Sequence, residues 1–252
     1  MMKRMVLLAA AVAAVMAVGC RGSKKSEATP VVETIDFVDK DSGATPYSVE
    51  LSYCRIVDAE TNPVWSSIES QNYEHIFGEQ APADIDAAVD AIIKGFVDDF
   101  VAYDDDMPPH SFEYQLSISQ DSEAVRGGAV MCYTTYYYTY TGGAHGLGTV
   151  AYDCYDLSSG QRYDFHYLME DVWAQAVQQL VSDKLNEEYG GDLFGTTPET
   201  AYVSSAVKIT DDGILIDYQP YEVAPYSMGI VSILLTDEEI AATGAPVIWR
   251  AE

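Results

Sequence analysis

A long run of Val, Tyr and Thr between Ala129 and Thr141 limits the fold of this chain more than any other feature. β-Branched and aromatic side chains favour extended strands. Gly142 and Gly143 follow the run, and a second strand-like run extends from Thr149 to Leu157. Two such runs joined by a short glycine-containing connection predict an antiparallel hairpin. The fold must therefore contain a sheet that includes this hairpin.

Further strands and helices surround the hairpin in sequence. Alternating apolar residues predict strands at Val31 to Lys40, Pro46 to Ile56, Phe112 to Ile118, Ala201 to Thr210, Ile214 to Tyr218 and Ile230 to Leu235. Apolar residues at a period near 3.6 predict helices at Val64 to Phe77, from Pro82 to an end at Asp104-Asp105-Asp106, and at Glu170 to Tyr189, and a short helix starting at Asp237. Val172 and Trp173 are placed on the inner stripe of the third helix.

Strands and helices occur in blocks rather than in strict alternation. This order predicts an α+β fold, with an antiparallel sheet packed against about three helices in a single compact domain of two sub-lobes. The expected divisions are a leader at 1–19, a tether and possible first strand at 20–45, and two α+β halves. The halves span 46–125 and 126–252, and the second contains the hairpin.

The N-terminus has the pattern of an export signal. Lys3 and Arg4 precede an apolar run from Met5 to Val18, which is short for a membrane-spanning helix. The ending Ala17-Val18-Gly19-Cys20 resembles the bacterial lipobox, in which the cysteine becomes the lipidated first residue. We therefore expect a lipoprotein anchored through Cys20 in the cell envelope, periplasmic or associated with the outer membrane. The alternative is an ordinary signal peptide that contains a cysteine.

The charge balance limits the partners. The chain has 40 acidic and 13 basic residues, a formal net charge of −27. Such a charge repels nucleic acids and anionic lipid surfaces and attracts basic proteins. We therefore expect no nucleic-acid partner, and contact with a membrane only through the lipid anchor. The alternative is that the charge serves only solubility.

Three cysteines remain after Cys20, namely Cys54, Cys132 and Cys154. An odd number in an oxidising compartment allows at most one internal disulfide. Cys132 and Cys154 lie on the two arms of the hairpin and face each other if the loop is Thr141 to His145. They either form a cross-strand disulfide, or all three cysteines are buried thiols.

No motif of known catalytic spacing is present. The sequence contains no Gly-x-Ser-x-Gly, no CxxC and no helical histidine pair, and its histidines are His75, His110, His145 and His166. We therefore expect no catalytic residues, no metal and no cofactor. Carboxylate-based glycan hydrolysis is the enzymatic alternative, because any two of the acidic residues can converge in space.

Two segments supply the candidate ligand-binding residues. The first is the glycine turn, whose candidates are Tyr140, Gly142, Gly143 and His145; it joins two strands and so is not a phosphate-binding loop, which must open a helix. The second lies between prolines, and its candidates are Tyr221, Glu222 and Tyr226. His145 either contacts a ligand or bonds its own loop. Glu222 either binds a ligand or caps neighbouring amides.

In this order, the motifs Tyr140-Thr141-Gly142-Gly143-Ala144-His145 and Tyr221-Glu222-Val223-Ala224-Pro225-Tyr226 resemble a known extracellular domain. It occurs in RsiV-type anti-sigma factors and in the N-terminal, non-catalytic part of PdaC-type peptidoglycan deacetylases. The resemblance covers roughly Tyr47 to Leu235 and implies an α+β fold. In the anti-sigma factor it implies a sensor of lysozyme, a basic protein. We expect this chain to have neither that factor's transmembrane and sigma-binding segments nor the deacetylase domain.

The leading hypothesis is a lipid-anchored, non-enzymatic envelope module that binds a basic protein such as lysozyme, or a cell-wall glycan such as peptidoglycan. The alternatives are an envelope accessory or scaffold protein and the carboxylate-based hydrolase.

Overall fold

The computed structural model describes residues 29–101 and 112–249. The expected leader, the lipidation site Cys20 and the first part of the tether lie outside the described residues. The predicted end of the second helix at Asp104 to Asp106 also lies outside them. No helix in the described ranges is both long enough and apolar enough to cross a membrane.

The described chain contains eight strands and four α-helices. The strands are β1 (Val32–Asp41), β2 (Tyr47–Ile56), β3 (Tyr114–Val125), β4 (Val130–Tyr140), β5 (Leu147–Asp156), β6 (Ala206–Ile209), β7 (Gly213–Tyr218) and β8 (Val231–Thr236). The helices are α1 (Pro63–Phe77), α2 (Ile85–Phe96), α3 (Ala174–Glu188) and α4 (Asp237–Ala242). The predicted hairpin is the pair β4 and β5.

The strands form two sheets, one in the order β1-β2-β3-β4-β5 and one in the order β6-β7-β8. The predicted α+β class is therefore confirmed. β1 and β2 are antiparallel, but β2 and β3 are parallel, with Tyr47 opposite Tyr114 and Ser52 opposite Ser119. Parallel neighbours need a crossover connection, and α1 and α2 provide it here.

Local signals at the start of α1 and α2 agree with the sequence. The side chain of Asn62 accepts a hydrogen bond from the N–H of Val64, and Pro63 occupies the first turn of α1. The side chain of Asp84 accepts from the N–H of Ala87 at the start of α2. A π-helical turn, Val97–Val101, continues α2.

The predicted start of α3 is wrong by four residues. The backbone of Asp171 has a φ of 61°, a left-handed conformation that a helix cannot contain. The helix therefore begins at Ala174, after Trp173. Val172, predicted to face the core, is 89% exposed. Trp173 is half-buried, and its indole N–H donates to the carbonyl of Tyr167 at 2.8 Å.

The chain divides into two compact units, and the β4–β5 hairpin contributes residues to both. The first unit contains residues up to Ser122, Tyr136–Leu147 and Leu157–Gly160; the second contains Glu123–Thr135, Gly148–Asp156 and Gln161 onward.

Each unit has its own core. The buried core of the first unit consists of Phe37, Tyr47, Val49, Leu51, Tyr53, Ile76, Val89, Phe96, Val101, Tyr114 and Ile118. The core of the second unit is larger and includes Cys132, Cys154, Leu168, Val181, Leu185, Ile209, Ile214, Ile216, Tyr218, Ile233, Leu235 and Trp249.

Candidate functional site

The predicted site residues belong to two different units. The glycine turn, with Tyr140, Gly142, Gly143 and His145, is in the first unit. The proline-flanked loop, with Tyr221, Glu222 and Tyr226, is in the second. Each segment is therefore a separate candidate surface.

Aromatic rings pack closely around the glycine turn. Gly142 has a φ of 101°, and a Cβ atom there would lie 2.8 Å from the ring of Phe112. The rings of Phe112 and Tyr140 lie 5.5 Å apart, and the hydroxyl of Tyr140 donates to the carbonyl of Gly143 at 3.0 Å. A Cβ atom at Gly146 would overlap the hydroxyl of Tyr138. The lack of a side chain at Gly142 and Gly146 therefore makes room for these rings.

His145 lies at the end of this turn. Its Nδ1 is 3.0 Å from the carbonyl oxygen of Gly146. A proton on Nδ1 donates to that carbonyl, so the imidazole helps to hold its own loop. Ligand contact by His145 stays a prediction.

The loop between β7 and β8 exposes an aromatic side chain on a strained backbone. Tyr221 has a φ of 73° and is 56% exposed. Its ring lies 5.6 Å from the half-buried ring of Tyr226, at an interplanar angle of 32°. A left-handed backbone costs a residue other than glycine about 1–2 kcal/mol. Residues held in such conformations cluster at functional sites, so Tyr221 is a candidate contact residue.

The carboxylate of Glu222 fixes this loop. One oxygen accepts a hydrogen bond from the Tyr202 hydroxyl at 2.8 Å, and the other accepts from the N–H of Gln219. Burial, and next the hydrogen bond to Glu222, raise the pKa of the Tyr202 phenol. Val223 and Ala224 are buried below the loop. Both oxygens of Glu222 thus accept hydrogen bonds within the protein. These bonds hold the segment that exposes the ring of Tyr221.

Phe194 is a further exposed aromatic residue whose backbone is bonded to this loop, and sequence reasoning missed it. Its backbone N–H donates to the carbonyl of Val223 at 2.8 Å, and its side chain is 60% exposed. We call Phe194, Tyr221 and Tyr226 the aromatic patch. The available signal was a single aromatic residue, Phe194, in the glycine- and threonine-rich segment 190–200. Aromatic side chains in such a position bind apolar surfaces and, through their faces, cationic groups.

The basic side chains do not offset the negative charge of the chain. Every lysine and arginine in residues 29–101 and 112–249 forms an ion pair with a carboxylate; the pairs are Lys40–Glu50, Arg55–Glu33, Lys94–Asp98, Arg126–Asp237, Arg162–Asp153, Lys184–Glu239 and Lys208–Glu123. Across the whole sequence 40 acidic residues face 13 basic ones, so the formal net charge remains −27.

The three cysteines of the folded part, Cys54, Cys132 and Cys154, are free thiols in the structure, and all are buried. Within the described ranges, no cluster of three or more His, Cys, Asp or Glu side chains is placed to hold a metal ion.

Comparison with known proteins supports the fold. A family model described as "Protein of unknown function (DUF3298)" matches residues 164–238, which include the proline-flanked loop. A crystal structure of a DUF3298 family member from Bacteroides fragilis NCTC 9343 is similar, with a TM-score of 0.69 and 19% identity. The match covers 85% of this chain and 94% of that chain.

A DUF3298 family protein from Pseudomonas aeruginosa PAO1 is also similar, with a TM-score of 0.59 and 16% identity. This match covers 84% of this chain and 93% of that chain. No curated protein sequence matches the chain. At these identities the two crystal structures support the fold and carry no activity over to this chain.

Proposed function

We propose that this chain is a lipid-anchored, non-enzymatic binding module of the bacterial cell envelope, and that its partner is a basic protein such as lysozyme. The single observation that carries the proposal is the uncompensated negative charge. Every described lysine and arginine already has a carboxylate partner, while the chain as a whole has a net charge of −27. A field of this sign attracts cationic proteins and speeds their encounter.

Helix α2 illustrates how the charge is displayed. Exposed carboxylates belong to Asp86 and Asp90 of the helix, to its N-cap Asp84, and to Asp98 and Asp99 of the π-helical turn that follows it. Lys94 is the basic residue of this helix, and it is paired with Asp98. Exposed carboxylates of this kind act over distances near the Debye length, about 8 Å at physiological salt. They steer a cationic partner without defining a site.

The aromatic patch supplies the contact that charge alone does not. Tyr221 and Phe194 are each more than half exposed, and Glu222 holds the loop in place through Tyr202 and Gln219. A preorganised loop loses little conformational freedom on binding. Tyrosine and phenylalanine faces attract the ammonium and guanidinium groups of a basic protein at about 0.5–1 kcal/mol each in exposed positions.

The envelope location is inferred from the export signal and from Cys20 at the end of the lipobox-like segment. The choice of lysozyme is inferred from the resemblance of the two motifs to the RsiV-type sensor domain. The family match over residues 164–238 includes one of these motifs and is compatible with the choice.

The test uses the chain without residues 1–20, which keeps every described strand and helix. The protein is mixed with lysozyme and, separately, with purified peptidoglycan, at about 25 mM and about 500 mM salt. We expect lysozyme to bind at low salt and to bind much more weakly at high salt, because surface charge interactions are screened. Lysozyme with acetylated lysines is the matched control and should bind poorly. Absence of lysozyme binding at low salt contradicts the proposal, and salt-insensitive binding to peptidoglycan alone supports a glycan ligand instead.

A further inference from the structure

Two buried thiols meet between neighbouring strands of the hairpin. Cys132 is on β4 and Cys154 is on β5, and these strands are adjacent in the five-stranded sheet. Their side chains are 0% and 1% exposed. Both cysteines belong to the second unit, whose core they share.

Both sulfur atoms also contact one residue of a third strand. The Cys132 thiol donates to the carbonyl of Ile209 at 3.5 Å, and the N–H of Ile209 donates to Cys154 Sγ at 3.3 Å. Ile209 lies on β6, an edge strand of the three-stranded sheet. The two thiols therefore converge on the backbone of a single residue.

The third thiol is placed differently. Cys54 belongs to the first unit, where its thiol donates to the carbonyl of Gln120 at 3.0 Å. The hydroxyl of Thr34 lies 3.8 Å from the same sulfur. Its backbone N–H is bonded to the side chain of Gln120, which also bonds the buried Asn72. Cys54 is thus enclosed by a polar network of its own.

We propose that Cys132 and Cys154 are a modification site, and that they form a disulfide when the protein folds in an oxidising compartment. Residues opposite each other on neighbouring antiparallel strands have Cα atoms about 4.5–5.5 Å apart, within the roughly 4.4–6.8 Å that a disulfide spans. The observation on which the proposal rests is the contact of both sulfur atoms with the backbone of Ile209. The bond is a property of the hairpin and does not depend on the proposed partner.

The reaction is exchange with an external disulfide, such as oxidised glutathione. The thiolate of one cysteine attacks that disulfide and releases one reduced thiol. The second cysteine then attacks the mixed disulfide, which forms the Cys132–Cys154 bond and releases the other reduced thiol. Two protons leave the cysteines, and the external disulfide is reduced as they are oxidised.

Burial determines when this exchange takes place. In the folded protein, burial raises the pKa of the Cys132 thiol well above its ordinary value, and contact with Cys154 raises it further. The thiolate that must attack is therefore scarce, and the oxidant has no access to either sulfur. The bond must form before the core of the second unit closes over the hairpin. Afterwards the same burial protects it from reduction.

The experiment again uses the chain without residues 1–20, so that only Cys54, Cys132 and Cys154 are present. The reduced, unfolded protein is refolded with oxidised and reduced glutathione, denatured, alkylated and analysed by peptide mass spectrometry. We expect one disulfide, between Cys132 and Cys154, and alkylation of Cys54. Because the bond restricts the unfolded chain, the oxidised protein should melt about 5–10 °C above the reduced protein.

Cys54→Ala is the matched control and should keep the disulfide. Free thiols at both Cys132 and Cys154 after oxidative refolding, or a bond that includes Cys54, would overturn the proposal. A second measurement treats the folded, reduced protein with the same oxidant. The bond should then form only as fast as the protein unfolds, and rapid oxidation of the folded state contradicts the timing we infer.

Discussion

The guanidinium of Arg126 and the carboxylate of Asp237 form a bidentate, largely buried ion pair. The nitrogen–oxygen distances are 2.7 and 2.9 Å, and the two side chains are 11% and 5% exposed. Arg126 precedes β4, and Asp237 is the first residue of α4. The indole of Trp249 also donates to Asp237, at 2.9 Å. One ion pair thus joins the turn before β4 to the C-terminal segment inside the second unit.

Replacing one partner of this pair should destabilise the protein strongly. We expect Arg126→Ala to lower the free energy of unfolding by about 3–5 kcal/mol, because it leaves the buried Asp237 carboxylate without a cation. Lys94→Ala is the control; it removes an exposed pair with Asp98 and should cost less than about 1 kcal/mol. Urea unfolding measures both. Equal effects of the two substitutions would show that the buried pair contributes no more than a surface pair.

The glycine turn allows a comparison of two neighbouring glycines. Gly142 and Gly143 both have positive φ angles, 101° and 92°, so alanine is strained at either position. A Cβ atom meets the ring of Phe112 only at Gly142; at Gly143 no atom lies within 4 Å of it. Gly142→Ala should therefore destabilise the protein by about 1–3 kcal/mol more than Gly143→Ala, as measured by chemical unfolding. If Gly143→Ala is the more damaging, Phe112 does not pack on Gly142.

Substitutions at Tyr221 should separate the effect of its backbone strain on stability from the effect of its ring on binding. Tyr221→Gly and Tyr221→Ala both remove the exposed ring, and only glycine accepts the φ of 73° without strain. We expect the glycine variant to be about 1 kcal/mol more stable than the alanine variant. Both should bind lysozyme several-fold more weakly than the wild type. Full binding by both variants would remove Tyr221 from the contact surface.

Glu69 on α1 should make stability depend on pH. It accepts hydrogen bonds from the Tyr53 hydroxyl and the N–H of Ile56. Burial nevertheless raises the pKa of its carboxyl above 4.5, the ordinary value. The folded state then holds this proton more tightly than the unfolded state, so the contribution of Glu69 to stability is complete below about pH 4.5 and is lost as pH rises through the folded-state pKa.

In the variant Glu69→Gln, a neutral amide replaces the carboxyl group, so this side chain does not titrate. The stability of this variant relative to the wild type should therefore improve between pH 4 and pH 7, as measured by thermal or urea unfolding across that range. Glu74→Gln, at an exposed position of the same helix, is the control for removing a carboxylate from α1. A difference between Glu69→Gln and the wild type that does not change with pH would contradict the raised pKa of Glu69.

Much of the fold could be predicted because local and tertiary signals agree. The hairpin of β4 and β5, the Asn62 cap of α1 and the start of α4 at Asp237 all have side chains that favour the observed conformation. The parallel pairing of β2 and β3 could not be predicted, because it depends on contacts between strands separated by two helices. Val172 matched the helical period by position, but the left-handed backbone of Asp171 places it before the helix.

The candidate site was less predictable than the fold. The exposed fractions of Phe194 and Tyr221 depend on which aromatic residues the core has room to bury, and sequence does not report this. Glu222 lies in a motif that is compatible with either ligand binding or capping, and its two hydrogen-bond partners became apparent only from the folded loop.

Calorimetric titration of the protein with lysozyme tests the central claim most directly. The account predicts saturable binding at about 25 mM salt, weakened strongly at about 500 mM salt and weakened again by Tyr221→Gly. A flat titration at low salt, with folded protein in the cell, would contradict the claim that this acidic module recognises a basic protein.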